Sequence, residues 1–140
     1  MKNTIKGILA FIFALVFALT LVSCNKNNVY VWENAIYLED TELGVGAKTI
    51  TVEVKAQERT VIFTVRTDKS TVGEALLEHG LISGEQGQFG MYIKSVNGIV
   101  ADYDTDGYYW GFYINGEYAM TGVDTTEILE GDTYCLERTK

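Results

Sequence analysis

The sequence has no proline, one histidine and few basic side chains, and each shortage narrows what the protein can do. One histidine, His79, cannot build a common zinc site, and its place at the end of an expected helix suits the satisfaction of terminal carbonyls. None of Ser70, Ser83 and Ser95 lies in the Gly-x-Ser-x-Gly context of a nucleophile elbow, and Cys135 falls in an expected strand with no base nearby. Gly44-Val45-Gly46-Ala47-Lys48-Thr49 lacks the glycine before lysine and the spacing of a phosphate loop, and it precedes a strand. The chain therefore reads as a non-enzyme with no cofactor. Repeats and low-complexity runs are also missing.

The first residues do carry a signal. Lys2 and Lys6 precede an uncharged, mostly apolar run from Gly7 to Thr20, which reads as an export signal. Leu21-Val22-Ser23-Cys24 then resembles a bacterial lipobox, in which the cysteine takes a diacylglyceryl thioether and becomes the first residue. Acyl chains contribute about 0.8 kcal/mol per buried methylene, enough for two or three of them to hold a domain on a bilayer without a spanning helix. The alternative is an uncleaved transmembrane anchor, for which the apolar run is near the lower limit of length. Both readings place the domain on the extracytoplasmic face of a bacterial membrane.

With residues 1–23 as a lipoprotein signal peptide, Cys24 to Lys140 leaves 117 residues, one modest core. Asn25 to Asn28 reads as tether, and residues 24–47 as a tether and leader packed along a sheet edge. Lipidation of Cys24 leaves Cys135 without a partner, which excludes a disulfide framework. Loss of Lys2 and Lys6 leaves nine basic against 19 acidic side chains, a balance that repels nucleic acid and anionic headgroups.

Residues 48–140 show the pattern of an α+β domain. Ile50, Val52 and Val54 alternate with polar residues, as do Val61, Phe63 and Val65. With Lys55 opposite Thr60, these positions pair as Val54 with Val61, Val52 with Phe63 and Ile50 with Val65, giving one apolar face. Thr71 and Glu74 form a capping box for a short helix that buries Val72, Ala75 and Leu76 and stops at Gly80. After a glycine-rich connection come strands at Met91–Val96 and Ile99–Tyr103 around Asn97-Gly98, then Tyr108–Ile114 and Glu117–Thr121 around Asn115-Gly116, and a last strand from Thr133 to Arg138. This order fits a β-grasp-like mixed sheet curled around one helix; the competing architecture is a short all-antiparallel α+β sandwich.

The aromatic hairpin is the candidate functional feature. Ile114 opposite Glu117 puts Trp110, Phe112, Ile114 and Ala119 on one face, and Tyr109, Gly111, Tyr113, Tyr118 and Met120 on the other. The first face is the better core. The second offers phenol rings beside a glycine that leaves a gap, suited to stacking on a planar ligand, a sugar or a partner's ring. Tyrosine pairs are also ordinary strand packing, so structure and binding both explain this face. Upstream, Asp102-x-Asp104-x-Asp106-Gly107 copies the start of a calcium loop, but position twelve is Tyr113 and the next residues read as strand, so no metal is assigned.

Three segments of the sequence, Ser95-Val96-Asn97-Gly98, Asp102 to Trp110 and Phe112 to Ala119, resemble bacterial lipoproteins with a transcobalamin-like C-terminal domain, a family of unknown function. Tyr109-Trp110 followed by Asn115-Gly116 is the most specific part, and the leader around Trp32, Ala35 and Tyr37 is also similar. The resemblance implies a β-domain that in animal relatives follows a helical barrel and closes over cobalamin; 117 residues hold no such barrel. The expectation is thus a lipid-anchored ligand-binding domain using Tyr109, Trp110, Tyr113 and Tyr118, capturing a corrinoid-like molecule for a membrane transporter. The alternative is a cell-surface module that docks on an envelope protein or glycan.

Overall fold

In the computed structural model, which describes residues 29–140, the fold is carried by the unit Val31–Lys140. The expected signal peptide, Cys24 and the tether lie outside the described residues. The leader enters the core at once. A 3-10 turn, Val31–Asn34, buries Trp32, whose indole Nε1 donates to the Ala56 carbonyl at 2.9 Å. Tyr37 then packs edge-on to Phe63. Its backbone is held from both sides by buried Asn97, which accepts from the Tyr37 amide at 2.9 Å and donates to the Tyr37 carbonyl at 2.8 Å.

Strand β1 (Thr41–Leu43) follows and pairs parallel with β3 (Arg59–Thr67). β3 and β2 (Lys48–Ala56) form the expected hairpin in the expected register, with Lys55 opposite Thr60 and Ile50 opposite Val65. The reason is the period-2 pattern: Ile50, Val52, Val54, Val61, Phe63 and Val65 are all buried on one face, and a slip by one residue would turn every one of them to solvent.

Helix α1 (Val72–Glu78) has the complete capping box, with the Thr71 hydroxyl accepting from Glu74 N and the Glu74 carboxylate accepting from Thr71 N. Val72, Ala75 and Leu76 are fully buried in the core formed by the hairpin. Gly73 is needed for close approach: its amide donates to Val123 O at 2.8 Å, and a Cβ there would sit 2.9 Å from the Asp124 backbone.

Beyond the helix the structure adds β4 (Ile82–Gly87) in what reads from sequence as a connection. β4, β5 (Gly90–Val96) and β6 (Ile99–Val100) make a small antiparallel sheet. The expected strand to Tyr103 stops early because Asp102 caps a one-turn helix, α2 (Tyr103–Asp106), closed by Gly107 at φ 73°. β7 (Tyr109–Ile114) and β8 (Glu117–Tyr118) flank Asn115-Gly116, both at positive φ as a two-residue hairpin turn requires. β8 is shorter than expected and ends at Tyr118, although Ala119 N still donates to Phe112 O. The final strand is β9 (Thr133–Thr139).

The large sheet runs β1-β3-β2-β9-β7-β8. Because β1 is parallel to β3 and β2 is parallel to β9, it is mixed, and the all-antiparallel alternative is excluded. An α+β architecture of mostly strands with one main helix is observed. No helix among the described residues is long and apolar enough to cross a membrane.

Candidate functional site: an aromatic cleft and a polar groove on opposite faces of one strand

Alternation along β7 sends its side chains to two sites. Trp110 pairs across from Arg138 and Phe112 from Leu136, on the core side of the sheet; Tyr109 and Tyr113 pair with Thr139 and Cys135, on the helix-free side. The four aromatic residues named from the sequence therefore do not form one site. Trp110 lines a cleft on the core side and Tyr118 borders it at the sheet edge. Tyr113 lines a groove on the far side, and Tyr109 lines neither.

The core-side cleft has a volume of about 350 Å³. Its walls are Met91 and Ile93 of β5, Trp110 and Phe112 of β7, and the segment from Ala119 to Val123. No lining side chain carries a formal charge. Phe89, at the turn between β4 and β5, and Met120, just past β8, stand at its rim almost fully exposed, at 92% and 95%. Asp124 holds these two loops together. Its carboxylate accepts from Met91 N at 3.1 Å, and Gly90 and Gly122 pass so close to it that a Cβ on either would lie within 2.9 Å of an oxygen. Trp110 is only 7% exposed, yet among the described residues its Nε1 has no hydrogen-bond partner, unlike that of Trp32. A buried donor without an acceptor is uncommon enough to require an explanation.

The far-side groove, about 480 Å³, is polar. Glu53 and Lys55 of β2 pair at 2.7 Å across its floor beside Cys135 and Glu137 of β9. The hydrogen bond to Glu53 holds the Lys55 ammonium above its ordinary range, and burial pushes the Cys135 thiol up, which keeps it protonated and unreactive at neutral pH. Burial, with Glu137 beside it, also raises Tyr113. The gap expected at Gly111 is filled by the protein itself. The Tyr113 ring folds over it, 3.0 Å from where a Cβ would stand, and meets Tyr118 edge-on at 5.4 Å. This is cross-strand packing on the face where phenol rings for a ligand were expected.

The aspartates after β6 act separately. Asp102 caps α2 and meets Lys94 at 3.3 Å. Asp106 accepts from the amides of Asp102 and Tyr108 and from Arg138, whose guanidinium covers the Tyr108 ring at 3.8 Å. Burial opposes ionisation of Asp106, but these donors together hold its carboxyl below the ordinary range. Among the described residues no three of His, Cys, Asp and Glu converge as they would around a metal. Among the described residues His79 Nε2 is a second buried atom without a hydrogen bond; it lies 3.9 Å from the Glu78 carboxylate and against the Gly44 loop rather than in either cavity.

Reasoning from the sequence missed Phe89, Met91 and Met120. One signal was available: of three methionines, the two beyond Met1 both line this cleft, and thioethers suit adaptable binding surfaces.

A mixed sheet with one main helix and an aromatic cleft defines a small α+β domain. A family model for a domain of unknown function, DUF4430, matches residues 69–136. Seventeen chains of solved structures match as well. One, from Ruminococcus gnavus and described provisionally as metal binding, is 32% identical over 67% of this chain and 98% of its own, with a TM-score of 0.63. The chain belongs to this family of domains of unknown function. Haptocorrin, solved in complex with Cbi, shares the fold at a TM-score of 0.56 and 18% identity. The match covers 70% of this chain and 26% of haptocorrin. No curated protein is matched.

Proposed function

We propose that the protein is a lipid-anchored, extracytoplasmic, β-grasp-like ligand-binding domain whose site is the aromatic cleft between β5 and β7. One observation carries this reading: an uncharged concave surface built on Trp110 and Phe112, with the hydroxyls of Tyr92, Tyr118 and Thr121 beside them and exposed Phe89 and Met120 at the rim, which is the form of a pocket for a flat ring system. The likeness to haptocorrin, a structure holding Cbi, supports a corrinoid-like ligand, passed on to a membrane transporter. Cys24 is the anchor, and the domain has no catalytic role. The Ruminococcus gnavus relative's description would favour a metal, but the described residues of the cleft offer thioethers and neutral hydroxyls and no His, Cys or carboxylate ligand.

Tryptophan fluorescence titrated with cobalamin and cobinamide tests this, with inner-filter controls. Saturable quenching should weaken at least tenfold when Phe89 and Met120 become serine and persist when Tyr109 and Tyr113 become alanine. No saturable change at millimolar ligand would remove the corrinoid. The exposure of Phe89 and Met120 also favours a second reading, a face that docks on an envelope protein or glycan. Radiolabelled palmitate incorporation that vanishes in Cys24→Ala tests the anchor.

A further inference from the structure

We infer that the Trp110 indole Nε1 is a polar anchor of the cleft, and that the part of the ligand entering it is an uncharged ring presenting one hydrogen-bond acceptor to it. The inference rests on the reading of the cleft as a ligand site and adds what that ligand must carry. The ring walls bind by area, and the hydroxyls of Tyr92, Tyr118 and Thr121 make contacts that water can also make; a buried donor adds discrimination, because a ligand lacking the acceptor leaves that donor unpaired. Trp110 is such a donor: more than nine-tenths buried, on the cleft wall, and without a hydrogen-bond partner among the described residues.

The absence of charge on the lining completes the specification. A carboxylate or ammonium seated against Trp110 would lose hydration with no counter-ion among the described lining side chains, so the part of the ligand that enters presents a carbonyl, ether or amide oxygen and any ionised group stays outside in water. Nε1 is covered in this structure, so an acceptor reaches it by displacing side chains. Met91, unbranched and with three rotatable bonds, is the wall residue best able to yield, while Met120 stands exposed at the rim.

The two tryptophans provide the test, since each gives one indole resonance and Trp32, bonded to Ala56 O, is an internal control. The full chain, labelled with nitrogen-15 and methionine-methyl carbon-13, would be placed in lipid nanodiscs. It would be titrated with 1-indanone and with indane, which differ by the carbonyl, at concentrations corrected for partition into lipid. Both probes should shift the Met91 and Met120 methyls, whereas only indanone should move the Trp110 indole proton downfield, with Trp32 unmoved. Trp110→Phe should lower indanone affinity about fivefold more than it lowers indane affinity, because both probes lose ring contact and only indanone loses the hydrogen bond. Methyl shifts from both probes with no difference at Trp110 would overturn the inference while the cleft reading stands. No methyl shift from either at millimolar concentration would overturn both.

Discussion

Replacing Trp32 tests whether the leader belongs to the folded domain, and the structure sets the size of the effect. The side chain is 1% exposed, its Nε1 donates to Ala56 O, and Arg59 lies 5.2 Å over its ring. An aromatic side chain buries ~150–250 Å², which at ~25 cal/mol per Å² corresponds to about 4–6 kcal/mol as an upper bound. Large-to-small substitutions of this kind lose about 3–5 kcal/mol, so Trp32→Ala should destabilise by about 4 kcal/mol. Trp32→Phe keeps the six-membered ring but loses the hydrogen bond to Ala56 O, for about 1–2 kcal/mol. With an unfolding entropy of ~2.1 cal/mol/K per residue over the Val31–Lys140 unit, these become Tm losses of roughly 15–20 °C and 4–9 °C. Urea unfolding followed by far-ultraviolet circular dichroism measures both without relying on the altered fluorophore. A Trp32→Ala protein within about 1 kcal/mol of the parent would refute the reasoning and detach the leader from the core.

Asp124→Ala should free the Phe89 turn from the Gly122 loop, destabilise by about 1–2 kcal/mol and speed hydrogen exchange at the Met91 amide; unchanged exchange there would contradict the clamp. Gly111→Ala should displace the Tyr113 ring by a few tenths of an ångström, alter stability by less than about 1 kcal/mol and leave ligand binding intact. Loss of binding in a folded Gly111→Ala protein would instead make the far face the site. Asp106 has a carboxyl held below its ordinary range, so its stabilising contribution is whole at neutral pH. That contribution begins to fall near the unfolded value of about 3.9 and is gone below the lowered one. Urea midpoints from pH 6 to pH 2 should fall less steeply in Asp106→Asn than in the parent, and parallel curves would exclude the effect. Burial of Cys135 predicts slow reaction with a thiol reagent at neutral pH and fast reaction in urea; equal rates would show that β9 opens readily.

Much of the scaffold was legible because its signals are local. The β2–β3 register follows from strict alternation, the start of α1 from Thr71 and Glu74, and the turns at Asn97-Gly98 and Asn115-Gly116 from residues that tolerate positive φ. The assignment of Trp110 and Phe112 to the core face follows from the same alternation. β4 was not legible, since Ser83, Gly84, Glu85, Gln86 and Gly87 are polar or glycine and exposed, and only pairing with β5 makes them a strand. β8 ends at Tyr118 because the chain turns toward Asp124 and the start of α1, contacts distant in sequence.

By itself the sequence determined which residues face inward along each strand, where the helix begins and that the chain carries an aromatic hairpin, because period, cap and turn chemistry act within a few residues. Only the tertiary structure decided that Trp32 and Tyr37 of the leader complete the core. Only there does Tyr113 fill the space at Gly111, and only there do Phe89, Met91, Trp110 and Met120 meet around one cleft. Those residues lie on separate loops and strands, and nothing short of packing β5 against β7 brings them together.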